Sequence, residues 1–206
     1  MISPAASLAS RMHPRDREVP PPRLRRWLGR ALMLAALALG GHAAWLPAKA
    51  VLAQQLLDRA WDASLADGGA HRPWPWADTH PVARLGAPRL GISQIVLAGD
   101  AGRPLAFGPG WAEASAAPGA TGTTIISGHR DTHFRWLEHV RDGDWVSLES
   151  GTGLRRYRVT GLQVVDSRTT RIATSSTDQL VLVTCWPFDA TAPRGPLRYV
   201  VTLAPI

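Results

Sequence analysis

The chain has 206 residues, 45% of them apolar and 19% charged, which excludes a wholly disordered polypeptide and leaves room for one ordinary domain with an appendage. Its formal net charge is +7, carried almost entirely by arginine, with Lys49 the one lysine. Frequent Gly (19) and Pro (17) favour a loop-rich β protein over a helical bundle.

Much of the positive charge precedes residue 31: Arg11, Arg15, Arg17, Arg23, Arg25, Arg26 and Arg30, against Asp16 and Glu18. Such a head is either a nucleic-acid arm or the cytoplasmic flank of a membrane segment. Residues 31 to 46, ALMLAALALGGHAAWL, carry no charged side chain, and with Trp27 and Leu28 the apolar stretch approaches the ~20 residues a bilayer span needs. Membrane therefore explains the arginines better than nucleic acid does. The sequence predicts a disordered basic cytoplasmic tail over 1–26, stiffened by Pro20 to Pro22, and a transmembrane signal anchor over 27–46. A cleaved signal peptide is the alternative, with Ala48-Lys49-Ala50 as a small-x-small site. Both readings export residues 51–206.

Residues 47–80 read as a juxtamembrane helix and a Pro/Trp linker. Leu52, Leu56, Leu57, Ala60, Trp61 and Leu65 fall on one helical stripe, which Asp67-Gly68-Gly69 ends. In the linker, Trp74 and Trp76 either dock onto the domain or cover a cleft.

Over 81–206 the pattern changes to short apolar runs between turns. The expected strands are Ala83 to Leu85, Ile92 to Leu97, Thr123 to Ser127, Trp145 to Leu148, Arg155 to Asp166, Gln179 to Thr184 and Leu197 to Leu203. A helical turn or two is expected over Phe134 to Val140, and hairpin turns at Gly143 and at Gly151 to Gly153. Strands at such spacing point to a barrel or a sandwich.

The single cysteine, Cys185, cannot form an internal disulfide. An unpaired thiol in an exported domain is either buried and inert or chemically employed. Cys185 stands at the end of QLVLVTC, where a buried strand would hold it rigidly at a rim, and Pro187 ends the ladder. A nucleophilic thiol needs a base or cation beside it. Of seven histidines, His129 has the telling context, because Gly128 turns the chain at the end of the Thr123 to Ser127 strand. His129, Asp131 and His133 could offer metal ligands, but neither their spacing nor a fourth ligand fits a known metal pattern, so no metal and no cofactor are expected. Arg194 and Arg198 follow the cysteine. If the sheet is antiparallel there, Arg198 opens a strand beside it and could hold a carbonyl or an oxyanion.

Three runs together resemble the sortases: Leu182-Val183-Thr184-Cys185, Ser127-Gly128-His129-Arg130 and Leu197-Arg198-Tyr199-Val200-Val201. The details TCWPFDA, GHRDTHF and GPLRYVV look most like the class found in Gram-negative bacteria. The resemblance covers roughly residues 45 to 206. It implies a mainly β fold, an eight-stranded barrel with short helices, and a cysteine transpeptidase. Such an enzyme cleaves a C-terminal sorting signal of an exported protein through a thioacyl intermediate and transfers the acyl group to an amine acceptor. Carried over, Cys185 is the nucleophile, His129 the general acid and base, and Arg198 the catalytic arginine. Thr184 lines the site, and Arg194 is the alternative arginine, placed with it among the substrate-binding residues. The resemblance also implies an inner-membrane location, single-pass, with the catalytic domain on the extracytoplasmic side. The rivals are an exported cysteine hydrolase and an inactive, membrane-tethered binding barrel.

Overall fold

A computed structural model of the chain describes residues 22–190 and 195–206. Arg194 and most of the basic tail lie outside the described residues. The chain divides into two units, 1–47 and 48–206.

The first element is one helix, α1, Pro22–Asp67. It begins inside the stretch expected to be a disordered tail, with proline at its first position, where a missing N–H costs nothing. Leu, Ala and Arg, all good helix formers, carry it onward. The anchor and the juxtamembrane helix are thus one element with Pro47 inside it. Residues 29–67 are long and apolar enough to cross a membrane by length and composition. Leu32, Met33, Leu34, Leu37 and Leu39 are exposed, which fits a surface made for lipid. In the second unit, Leu57 and Trp61 from the end of α1 are buried against Ile95 and Leu97. The helix stops at Asp67, where Gly68 has φ 74° and its N–H bonds to the Ser64 carbonyl.

In the linker, Trp74 meets Phe107 edge-on at 5.0 Å, so this tryptophan docks onto the domain. Trp76 does not, being 80% exposed.

The strands are β1 (Pro81–Ala87), β2 (Ile92–Ala98), β3 (Gly110–Trp111), β4 (Thr123–Ser127), β5 (Trp145–Ser150), β6 (Gly153–Asp166), β7 (Gln179–Cys185) and β8 (Leu197–Pro205). They close into a barrel in the order β1-β2-β3-β4-β7-β8-β6-β5. Seven of them occupy the runs expected from the sequence. The eighth, β3, is two residues long, too short to show a period. The turn expected over Phe134 to Val140 is a 3-10 turn, Arg135–His139.

Alternation along the strands fills the barrel. Leu85, Val96, Ile126, Leu148, Tyr157, Leu180, Leu182, Val201 and Leu203 share one buried core. At ~1.5–3 kcal/mol for each fully buried side chain of this size, that core supplies the main favourable term. Strand β7 lies between β4 and β8, and Leu180, Val181 and Leu182 are all buried on it. The strand that ends in the cysteine is therefore among the most firmly held in the molecule.

Candidate active site

Strands β4 and β7 are parallel neighbours, so their C-terminal ends reach the same rim of the barrel. Their register pairs Ile126 with Leu182 and Ser127 with Val183. Past the ladder, Gly128 and Thr184 are the next residues of the two chains, with His129 and Cys185 one residue further on each. Two hydrogen bonds hold this alignment past the end of the ladder. The Gly128 N–H donates to the Val183 carbonyl at 3.0 Å, and the Thr184 hydroxyl donates to the Gly128 carbonyl at 2.8 Å. Thr184 is buried, so that hydroxyl serves the backbone.

Strand β8 runs antiparallel to β7 and starts at the same rim. Its register pairs Thr184 with Tyr199 and Cys185 with Arg198. The turn that begins at Gly128-His129, Cys185 and Arg198 thus stand on one edge of the barrel, where two parallel strands end and one antiparallel strand begins. Cys185 is partly exposed and His129 exposed, so neither is sealed in the core. The Arg198 guanidinium donates to the carbonyls of Gly195 at 2.6 Å and Leu197 at 2.9 Å, which keeps it near the start of β8.

Gly128 is required by crowding. A Cβ there would lie 2.7 Å from the Phe134 ring, which is fully buried. The segment after His129 folds back over this glycine, and the Phe134 N–H donates to the His129 carbonyl at 3.0 Å.

Several groups around the rim carry no expectation from the sequence. Arg130 is buried, and its guanidinium donates to Asp131, Pro187 and Ala190. An Arg-Asp pair directly after Gly-His was its only visible sign. Trp186, Phe188 and Tyr199 form an aromatic group, with Trp186 stacked on Tyr199 at 5.5 Å. With Glu138, Pro187 and Asp189 they line a cleft of about 600 Å³ directly after Cys185. The Trp186–Pro187 peptide is cis.

Charges respond to these surroundings. The Arg130 guanidinium, hydrogen-bonded to Asp131, holds that carboxyl below the usual carboxylate range. Burial pushes the His133 imidazole down, a hydrogen bond with the Ala106 backbone opposes this, and His129 adds to it. Burial raises the Tyr199 phenol. Among the described residues, no group of three or more His, Cys, Asp or Glu side chains is gathered as metal ligands.

The family model for the sortase domain matches residues 85–206. The chain belongs to the sortase family. Sortase D of Bacillus subtilis (strain 168) is 30% identical over 119 residues, covering 57% of this chain and 60% of that protein. The chain thus spans less than two thirds of that relative. Sortase A from Corynebacterium diphtheriae superposes with a TM-score of 0.57 at 26% identity, over 64% of this chain and 63% of that one. The Clostridium perfringens sortase D5 transpeptidase, at 19% identity, shares the fold, with a TM-score of 0.61 over 76% of this chain and 99% of that one.

Proposed function

We propose that this sortase is a cysteine transpeptidase that cleaves a C-terminal sorting signal of an exported protein and transfers the acyl part to an amine acceptor. The observation that carries the reading is the register: Cys185 ends β7 between the β4 end, with Gly128-His129, and the β8 start, with Arg198.

The chemistry balances on these groups alone. The Cys185 thiolate attacks a peptide carbonyl carbon, and the oxygen takes up negative charge beside the Arg198 cation. The C–N bond breaks as the His129 imidazolium gives its proton to the departing amine, leaving a thioester on Cys185. An incoming amine attacks that thioester and loses a proton to His129. The C–S bond breaks, and thiolate and imidazolium are restored. The cleft of Trp186, Phe188 and Tyr199, built largely by the residues that follow Cys185, offers apolar faces for a peptide, and Thr184 fixes the end of the strand.

The apolar part of α1 serves in this reading as a single-pass anchor in the cytoplasmic (inner) membrane. Arginines on its N-terminal side keep that end in the cytoplasm and the barrel outside. The narrower likeness, to the class of Gram-negative bacteria, rests on TCWPFDA, GHRDTHF and GPLRYVV alone. The relatives named above come from Gram-positive bacteria and lend it no support.

The test is capture of the intermediate. The full chain in detergent is incubated with a library of peptides carrying varied C-terminal signals, with and without hydroxylamine as a strong nucleophile. A thioester mass on Cys185, discharged as a hydroxamate, is the expected result. Release of free acid alone, unchanged by any amine, would make the protein a thiol hydrolase. No adduct with any peptide would leave a binding barrel.

A further inference from the structure

Arg130 is the most enclosed cation at this rim, with 6% of its side chain exposed, and the mechanism above gives it nothing to do. Its contacts are specific. Nη1 donates to the Pro187 carbonyl at 2.7 Å and Nη2 to the Ala190 carbonyl at 3.0 Å, 57 and 60 residues along the chain. Nε and Nη2 donate to the two oxygens of Asp131 at 2.8 and 3.2 Å, a planar fork on a carboxylate. The residue before it is His129. The residues it grips begin two places after Cys185.

We propose that Arg130 is a positioning residue for the Cys185–His129 pair, a strut that fixes the turn carrying His129 against the loop leaving Cys185 and holds a permanent positive charge where the two segments meet. The strut rests on the proposed transpeptidase reading for its purpose, but not for its geometry. An ion pair with an exposed neighbour would not need burial. Asp131 is 63% exposed while its partner is enclosed, so water screens the carboxylate more than the guanidinium. The fork on Asp131 raises the Arg130 pKa most, and the charges of Cys185 and Asp189 raise it further against burial. Arg130 and a Cys185 anion thus attract one another. The other titratable or charged groups on the surrounding elements are His129, Asp131, His133, Arg135, Glu138 and His139 after β4, Asp189 after β7, and Arg198 and Tyr199 on β8.

The chain has one cysteine, so alkylation by iodoacetamide reads Cys185 without any substrate. The rate is followed against pH by mass, with the full chain in detergent. Arg130→Gln removes the charge and is expected to raise the pH midpoint by about one unit, slowing alkylation at neutral pH about tenfold. Arg130→Lys keeps a charge but cannot bridge both carbonyls and Asp131, and recovers part of the shift. Asp131→Asn removes the opposing charge from an exposed site and moves the midpoint down. Opposite shifts from adjacent residues cannot come from loosened structure, which lowers Tm without sorting by charge. A midpoint for Arg130→Gln within about 0.2 units of the wild type overturns the proposal. So does a midpoint for Asp131→Asn that stays in place or rises, and this arm stands even if Arg130→Gln fails to fold. Failure of the wild type to join peptide to amine would remove the proposed function and leave this readout intact.

Discussion

The Thr184 hydroxyl donates to the Gly128 carbonyl at 2.8 Å, and that bond joins the residue before the cysteine to the residue before the histidine. It is a buried bond between two parallel strands just where their ladder ends. Thr184→Val keeps the shape and removes the donor, leaving a buried carbonyl unpaired at a cost of about 1–3 kcal/mol. Unfolding in urea should show that loss, and Cys185 alkylation should slow. Thr184→Ser keeps the donor and should restore the alkylation rate. Equal behaviour of the Val and Ser variants would mean that the hydroxyl is not what aligns the rim.

Activity in the proposed reaction needs Cys185 as thiolate and His129 as imidazolium together. The rate of acyl transfer should therefore rise and then fall with pH, one limb for each group. Cys185→Ala should abolish transfer and leave the melting temperature close to that of the parent. A profile that is flat from about pH 5 to 9 would mean that His129 carries no proton in the rate-limiting step.

Strand alternation made part of the barrel legible, as in β5, whose buried residues recur at every second position, and β7 was legible as a continuous apolar run. Arg198 beside Cys185 was legible from the strand pattern as an antiparallel neighbour, but the placing of Gly128-His129 at the same rim only as a resemblance, since parallel pairing of β4 with β7 links segments 56 residues apart and leaves no local mark. Strand β3 escaped because two residues have no period. Arg130 escaped because an arginine reads as surface until its partners are known, and those partners are backbone carbonyls that no side-chain pattern encodes. The continuous α1 was read as two pieces because its uncharged run ends at Leu46 and a different, striped pattern follows it.

Arg198 and Arg194 make different predictions. Arg198 is the register partner of Cys185, whereas Arg194 lies outside the described residues. Removal of a single oxyanion donor costs roughly 100- to 1000-fold in kcat. Arg198→Ala should show a loss on that scale with the thiol still alkylated, and Arg194→Ala a smaller one. Kinetics on a peptide found by the library screen compare them directly. The reverse order of losses would hand the oxyanion role to Arg194.

Gly128 should tolerate no side chain. The position has no positive φ to explain the glycine. What excludes a methyl group is the Phe134 ring, 2.7 Å from where a Cβ would stand. Gly128→Ala must displace that ring or the strand end, at about 1–3 kcal/mol for overpacking. Because the strand end carries His129, transfer should fall by more than the stability loss explains. Adding Phe134→Leu opens space for the methyl group and should recover part of the activity. No recovery in the double variant would place the fault in the backbone.

His133 predicts an acid-side loss of stability separate from that of the carboxylates. Burial holds its folded pKa below the ordinary value of ~6.5, and His129 adds to this. Above that value neither folded nor unfolded chain holds the proton. As pH falls below it, the unfolded chain takes up a proton that the folded protein resists, so stability declines until the lower folded value is passed. Asp131 and Asp144, held below the carboxylate range chiefly by hydrogen bonds from Arg130 and Arg89, lose their contribution only at more acid pH. Two steps should therefore appear when Tm is followed downward from neutral pH. His133→Gln should flatten the upper step and spare the lower one. An upper step unchanged in that variant would assign it to another group.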